Sequence, residues 1–235
     1  MKIKIFQTVK EDYYDSYTYS REDLLDVYDG KFIVDSSVYK CVYDGDFKQT
    51  DLERIFVLFN LTKPEGFTGH SMSPTDVIYT AEDNKYYFCE NIGFTEVTFD
   101  ENLVKETKIK VVYLQPDKLA EIIELDNNLT SMQTAVGGYI QTYYGIDYPC
   151  CIVCNDEAKI NGMPLNRAVR QDGKIIEIIA GPFFICDCST PNFKSLSEEK
   201  LEFYLKKFKY PELFFKSGKE ILGIPYNPEK AGGSL

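Results

Sequence analysis

The 235-residue sequence lacks any uninterrupted apolar run of the roughly 18 residues that a membrane-spanning helix needs. Its first ten residues, MKIKIFQTVK, carry charges but have no apolar segment behind them, so they do not resemble a secretory signal. We therefore expect a cytoplasmic protein with no membrane partner. Because hydrophobic residues still make up 44% of the chain, it can bury a substantial core.

The sequence also lacks the glycine-rich motifs that hold phosphates. Neither G-x-x-x-x-G-K-[ST] nor G-x-G-x-x-G occurs, and Gly137-Gly138 instead suits the end of a helix. No internal repeat is visible, which argues against repeat architectures. We expect no cofactor.

The sequence also lacks the even number of cysteines that a fully paired set of disulfides needs. The chain has seven, with two of them adjacent in the run CCIVCN, which argues against a disulfide framework and favours reduced thiols. A zinc site could in principle use two pairs of thiolates. The residues between the first pair are apolar and β-branched, however, and indicate a buried strand, so we predict no metal there. The four cysteines in question are Cys151, Cys154, Cys186 and Cys188.

Basic charge is scarce in the first half of the chain. Residues 1–105 hold 11 Lys/Arg and 20 Asp/Glu, a net charge of −9, whereas the whole chain carries −11. Ten of these acids fall within residues 11–46. Such a surface repels phosphate, so direct binding of nucleic acid is disfavoured, and docking onto a basic protein surface is favoured.

The patterns of the sequence predict an α+β fold of two small domains, each a mainly antiparallel sheet with one or two helices. The polar stretch 100–107 suggests domains at 1–104 and 108–228, followed by a flexible tail at 229–235. Capping boxes starting at Thr50 and Ser195, and a cap at Asn128, predict three helices. KYYFCENIGFTEV is predicted as one strand of a hairpin with DVIYTA.

The run LERIFVLFN…PEGFTGHSMSPTDVIY…YYFCENIGFTEV resembles a YodL-type domain over roughly residues 3–100. From about Lys108 to Pro228 the chain resembles a second family, of unknown function, through VGGYIQ, VCNDEAKINGMPLNRAVR and IIAGPFFICD. Both resemblances imply that the protein is encoded by a phage, an integrated element or a conjugative transposon. In such elements the two families often occur as modules of polyvalent proteins. Neither implies a reaction or a catalytic residue.

The GHSMSPTD loop places the only histidine, His70, close to Ser71, Ser73 and Asp76. These residue types occur in hydrolases, but the members of a triad usually meet in space rather than in sequence. The structural alternative is a cap-and-turn device in which hydroxyls satisfy loop backbone groups. Contact with a ligand or partner through this exposed loop is the third interpretation.

Around the NGMPLN loop, Asn155, Asn166 and Arg167 are candidate binding residues. An arginine in a turn rich in glycine and proline could grip a phosphate or carboxylate bidentately. Arg167 could equally form a structural ion pair with Asp156 or Glu157, and we favour that interpretation.

Tyrosines interleave with acids near the start of the chain, a composition that suits a protein-binding surface. They could also be ordinary edge-strand residues. The candidate binding residues of this segment are Tyr13, Tyr14, Asp15, Tyr17, Asp23 and Asp26.

We therefore expect a non-enzymatic accessory protein of a mobile element that binds a protein partner with a basic surface, in the manner of a counter-defence protein or DNA mimic. One alternative is a small-ligand or nucleotide-binding module with a pocket between the GHSMSPTD and NGMPLNR loops. The other is a scaffold that pairs with another element-encoded protein. The sequence leaves the oligomeric state open.

Overall fold

The structure, a computed structural model, describes residues 1–9, 19–48, 51–218 and 220–231. The chain divides into two compact units, Met1–Lys105 and Glu106–Leu235. Both are built mainly of antiparallel strands with few helices, which confirms the predicted α+β class. Within the described ranges, no helix is long and apolar enough to cross a membrane.

The first unit is a five-stranded antiparallel sheet in the order β4-β1-β5-β6-β7. A two-stranded hairpin, β2–β3, and two helices accompany it. The strands are β1 (Lys2–Thr8), β2 (Leu25–Tyr28), β3 (Lys31–Val34), β4 (Tyr39–Asp46), β5 (Val77–Thr80), β6 (Lys85–Cys89) and β7 (Phe94–Val97), and the helices are α1 (Arg21–Leu24) and α2 (Leu52–Leu61).

Strand β1 is buried on both of its faces. Ile5 packs with Ile55 and Phe59 of α2 on one side of the sheet, while Phe6 packs with Leu25 and Val34 of the β2–β3 hairpin on the other. Successive residues of a strand point to opposite faces, so β1 lies in the middle of a three-layer unit.

Two local predictions in this unit are wrong. KYYFCENIGFTEV forms two strands, β6 and β7, because Gly93 adopts a positive φ of 77° and turns the chain between them. Helix α2 is capped by Asp51, whose carboxylate accepts a 2.9 Å hydrogen bond from the Arg54 backbone N–H, and not by Thr50, which lies outside the described residues.

The second unit contains another five-stranded antiparallel sheet, in the order β10-β11-β14-β8-β9, and two separate hairpins. Helix α3 covers one face of this sheet, and α4 together with β12–β13 covers the other. The strands are β8 (Lys108–Leu114), β9 (Glu121–Asp126), β10 (Ile140–Tyr143), β11 (Cys150–Asn155), β12 (Leu165–Gln171), β13 (Lys174–Ala180), β14 (Phe183–Asp187), β15 (Glu212–Ser217) and β16 (Glu220–Pro225), and the helices are α3 (Leu129–Val136), α4 (Glu198–Lys207) and α5 (Pro228–Ala231).

Helix α3 begins and ends as predicted. The side chain of Asn128 accepts a hydrogen bond from the Ser131 backbone N–H, and Gly137 closes the helix in the left-handed conformation. Helix α4, in contrast, is capped by Ser197 and not by Ser195, whose hydroxyl instead bonds the carboxylate of Glu106.

Three further elements differ from the sequence prediction. Part of the predicted NGMPLN loop belongs to strand β12, and the hairpin β15–β16 follows α4 where no strand was predicted. The segment predicted to be a flexible tail starts inside α5, and residues 232–235 lie outside the described part of the chain.

Candidate functional site

The GHSMSPTD loop of the first unit is held by two buried side chains, Gln7 of β1 and Tyr39, whose hydroxyl donates to the Thr75 carbonyl at 2.7 Å. The Gln7 side-chain oxygen accepts a 3.1 Å hydrogen bond from the His70 backbone N–H, and its Nε2 donates to the His70 carbonyl at 3.0 Å. The same Nε2 donates to Asp76 Oδ2 at 2.8 Å. A buried amide therefore fixes both ends of the loop through one strand residue.

Asp76 is the buried carboxylate of this loop, with 1% of its surface exposed. Burial raises its pKa to about 6, and hydrogen bonds from the Ser73 backbone and from Gln7, together with the charge of His70, oppose that rise. The Ser73 N–H donates to Asp76 Oδ2 at 2.9 Å, so the carboxylate closes a turn. The structural alternative drawn from the sequence assigned this task to hydroxyls, whereas here the Asp76 carboxylate bonds the loop backbone.

The backbone of the loop is tight at two points. A Cβ at Gly69 would overlap the Gln7 side chain, so only glycine allows this close approach. Thr75 has a φ of +80°, a conformation that costs energy for a β-branched residue. Such strain persists where the surroundings impose it, and it is concentrated at functional sites.

His70 and Ser71 are exposed at the tip of the loop. The His70 Nδ1 lies 2.7 Å from the Ser71 carbonyl oxygen. Among the described residues, no hydrogen bond joins the His70 ring to Asp76, whose carboxylate is bound to Gln7 and Ser73 instead. The loop is thus a rigid platform that presents an imidazole and a hydroxyl to solvent. The roles of His70, Ser71, Ser73 and Asp76 stay predictions.

The acidic, tyrosine-rich candidates divide into two groups. Four of them, Tyr13, Tyr14, Asp15 and Tyr17, lie outside the described residues. Asp23 is exposed and closes a capping box with Ser20, while Asp26 is exposed in the middle of β2.

The β2–β3 hairpin presents apolar side chains between acids. Val27 is 64% exposed and Tyr28 is 74% exposed, and they lie between Asp26 and Asp29. In the described part of the chain, β2 pairs only with β3, so its other edge is open. An acidic edge with an exposed aromatic ring is suited to protein contact.

Asn166 and Arg167 do not lie in an exposed turn, as the sequence predicted, but are buried in strand β12. The Arg167 guanidinium donates to the backbone carbonyls of Phe208 at 3.0 Å and of Lys118 at 2.7 Å. Burial lowers its pKa to about 10. Arg167 therefore has a structural role, as we favoured, but through carbonyl groups rather than through an ion pair.

Asn155 also makes structural hydrogen bonds. Its Nδ2 donates to the Gly137 carbonyl at 2.9 Å, and its side-chain oxygen accepts from the Glu157 N–H at 2.8 Å. These contacts tie the end of α3 to the turn after β11. Asn155 is buried, and both polar atoms of its side chain take part in these bonds.

The four-thiolate arrangement is excluded by the pleat of β11. Cys151 and Cys186 lie 3.7 Å apart, sulfur to sulfur, within the cluster on the α3 side of the sheet. Cys154 belongs to the cluster on the opposite, α4 side. CCIVCN is fully buried, which confirms its prediction as a buried strand. The described residues contain no cluster of three or more metal-binding side chains.

Three important polar residues escaped the sequence prediction. Gln7 is a buried polar residue that directly follows the apolar Ile5 and Phe6 of β1, and the sequence gives no sign of its burial. Arg170 and Glu212 form a bidentate ion pair that fixes the hairpin β15–β16 to β12. Because Arg170 and Glu212 are 42 residues apart, the sequence does not indicate that they pair.

Comparison with known proteins places two domain families in the chain. Residues 2–99 match the family model of the YodL-like domain, and residues 109–209 match that of a domain of unknown function (DUF3846). Both resemblances, and their order, are thereby confirmed. No curated protein and no solved structure matches the chain.

Proposed function

We propose that this chain, which carries a YodL-like domain followed by a domain of unknown function (DUF3846), is a non-enzymatic accessory protein of a phage or conjugative element. It acts in the cytoplasm by binding a protein partner with a basic surface. The observation that carries the proposal is the open outer edge of β2, on which Val27 and Tyr28 are exposed between the acids Asp26 and Asp29.

The charge of the first domain supports a protein partner with a basic face. All seven described acids between residues 19 and 48 are exposed: Glu22, Asp23, Asp26, Asp29, Asp35, Asp44 and Asp46. Asp44 pairs with Lys2 at 3.0 Å, whereas Asp26 and Asp29 have no ion pair among the described residues. Free carboxylates attract lysine and arginine and speed encounter with a basic partner.

A counter-defence role is the specific form of this proposal. A host protein that holds nucleic acid has a basic binding face, and an acidic protein can occupy that face in place of the phosphates. The exposed Val27 and Tyr28 add apolar contact area, which charge alone does not supply.

The test is affinity purification of the full-length protein from its native host at low and at high salt. Asp26→Asn combined with Asp29→Asn removes two hairpin charges, and asparagine tolerates the positive φ of 49° at position 29. Glu65→Gln combined with Glu82→Gln removes two exposed charges elsewhere in the same unit as the control.

We expect the partner to be recovered at low salt, lost at high salt, and recovered at least about tenfold less with the hairpin variant than with the control. Recovery that is the same at both salt concentrations, or the same for both variants, would show that the hairpin charges do not carry the interaction.

A further inference from the structure

Three thiols meet on the α3 side of the sheet in the second unit. Cys151 of β11 and Cys186 of β14 lie directly opposite each other in the antiparallel ladder, with their sulfur atoms 3.7 Å apart. Cys188 comes two residues after Cys186, so its side chain lies on the same face, and its thiol is hydrogen-bonded to that of Cys151. The other two cysteines of β11, Cys150 and Cys154, belong to the cluster on the opposite side. Cys151 is therefore the centre of a group of three thiols.

The pair Cys151 and Cys186 fits the geometry of a disulfide. Residues directly opposite each other in an antiparallel pair have Cα atoms about 4.5–5.5 Å apart, and disulfides join Cα atoms about 4.4–6.8 Å apart. The two sulfur atoms need to approach only from 3.7 Å to a bond length of about 2.0 Å. The strands can therefore keep their register when the bond forms.

Cys188 is the thiol of this group that a small oxidant reaches. Cys151 and Cys186 are 0% exposed, whereas Cys188 is partly exposed. The Cys188 thiol lies where β11 begins, because it donates to the carbonyl of Pro149 at 3.1 Å. An oxidant that reacts at Cys188 is thus next to the buried pair.

Hydrogen bonds within the group place its negative charge. The hydrogen bond with Cys186 lowers the pKa of the Cys151 thiol, burial opposes this change, and the bond with Cys188 adds to it. Burial, followed by the hydrogen bond to Cys151, raises the pKa of Cys188 to about 12. When one proton leaves the group, the charge is therefore on Cys151. Transfer of the Cys188 proton to Cys151 along their hydrogen bond then makes the exposed sulfur the nucleophile.

We propose that these three thiols form a site of reversible oxidation by peroxides, in which Cys188 receives the oxidant and the product is a disulfide between Cys151 and Cys186. The Cys188 sulfur attacks hydrogen peroxide, the O–O bond breaks, and a sulfenic acid and one water molecule result. The Cys151 thiolate then attacks the Cys188 sulfur, and the S–O bond breaks as a second water molecule leaves. In total, two thiols are oxidised to a disulfide and one peroxide is reduced to two water molecules.

The disulfide moves from Cys188 to Cys186 by thiol exchange. The hydrogen bond to Cys151 is the main cause that raises the pKa of Cys186, and this cause disappears once Cys151 is part of a disulfide. Cys186 can then attack the Cys151 sulfur, and its proton goes to the Cys188 thiolate that leaves. In a reducing compartment such a disulfide is transient, as in other proteins that sense oxidants. The site is in the second domain and does not depend on the acidic hairpin.

The experiment treats the reduced full-length protein with hydrogen peroxide, stops the reaction with acid and alkylates the remaining thiols in denaturant. Mass spectrometry of a tryptic digest identifies the linked cysteines, because Cys151 and Cys186 fall in different tryptic peptides, 119–159 and 175–194. The rate of disulfide formation is compared for the wild type, for Cys188→Ser and for the control Cys41→Ser.

Cys41 matches Cys188 in its surroundings. It is also partly exposed, and its thiol also donates to a backbone carbonyl, that of Tyr43 at 3.2 Å. A serine hydroxyl can donate in the same way at either position. Thermal unfolding checks that both variants fold, and Cys188→Ala replaces Cys188→Ser if that variant does not.

We expect the wild type to form the link between Cys151 and Cys186, and dithiothreitol to reverse it. Cys188→Ser should form this link at least about tenfold more slowly than Cys41→Ser, because the buried pair loses the thiol that the oxidant reaches. The absence of a disulfide, a stable link from Cys151 to any cysteine other than Cys186, or equal rates for the two variants overturns the proposal.

Discussion

Gln7 Nε2 donates a 2.8 Å hydrogen bond to Asp76 Oδ2, and so links strand β1 of the first domain to the residue just before β5. The two residues are 69 positions apart, and both are buried. Gln7 also holds the His70 backbone, so one amide group fixes a loop that exposes His70 and Ser71 to solvent. Together with the hydrogen bond from the Tyr39 hydroxyl to the Thr75 carbonyl, this side chain sets the geometry of the loop.

Gln7→Ala should therefore destabilise the first domain. The substitution removes one of the two hydrogen bonds to Asp76 Oδ2 and both side-chain hydrogen bonds to the His70 backbone, and each unsatisfied buried polar group costs about 1–3 kcal/mol. Urea unfolding measures the free energy of unfolding, with the exposed Gln171→Ala as the control. A loss of unfolding free energy equal to that of the control would show that the loop keeps its structure without Gln7.

The pKa of Asp76 makes the stability of the domain depend on pH. Its folded pKa of about 6 lies above its ordinary value of 3.8, so the folded state binds this proton more tightly than the unfolded state does. The contribution of Asp76 to stability is then largest below about pH 4 and decreases as pH rises through 6, by about 3 kcal/mol in all.

Asp76→Asn removes this titration. We expect the free energy of unfolding of the wild type, minus that of Asp76→Asn, to decrease between pH 4 and pH 7 in urea titrations. Taking the difference cancels the effect of the other acids of the chain, which titrate in both proteins. Parallel curves for the two proteins would contradict the raised pKa.

Signals that act within a few residues predicted the structure well. Asn128 and Gly137 bound α3 as expected, since a cap and a left-handed stop depend on local hydrogen bonds. The hairpin of β8 and β9 likewise turns at Pro116-Asp117, a pair of residues typical of turns, where Asp117 has a positive φ of 58°.

Structure that depends on distant partners could not be predicted in this way. Arg167 looked like a turn residue because glycine and proline precede it, yet its hydrogen-bond acceptor, Phe208, is 41 residues away. The hairpin β15–β16 is anchored to β12 through Glu212, 42 residues from Arg170. In the candidate site, the GHSMSPTD loop was identified from its residues, whereas its anchor, Gln7, was not.

The Arg170–Glu212 pair should stabilise the second domain through the β15–β16 hairpin. Arg170 donates to Glu212 bidentately, and its NH2 group also reaches the Gly223 carbonyl at 3.1 Å. Glu212→Gln leaves the arginine without its counter-charge. Removing one partner of a fully buried pair costs about 3–5 kcal/mol, and we expect about 2–3 kcal/mol because the Arg170 side chain is a third exposed.

Urea unfolding measures this loss, with the exposed Glu202→Gln as the control, and amide hydrogen exchange locates it. Gly223→Ala should have the same effect, because an added Cβ would overlap the Glu212 carboxylate and crowd the Arg170 guanidinium. If the amide hydrogen exchange of residues 212–225 were unchanged in either variant, the Arg170–Glu212 pair would not be the anchor of the hairpin.

The buried Arg167 leads to a prediction about side-chain shape rather than charge. Its guanidinium donates in different directions to the carbonyls of Phe208, Lys118 and Asn166, which the single ammonium group of a lysine cannot reach together. Arg167→Lys keeps the charge but leaves buried carbonyls unsatisfied, so we expect a loss of about 2–4 kcal/mol in the free energy of unfolding. The exposed Arg54→Lys is the matched control and should change it by less than about 0.5 kcal/mol. Equal stability of the two variants would mean that charge alone satisfies the site, and that the fork of hydrogen bonds contributes nothing.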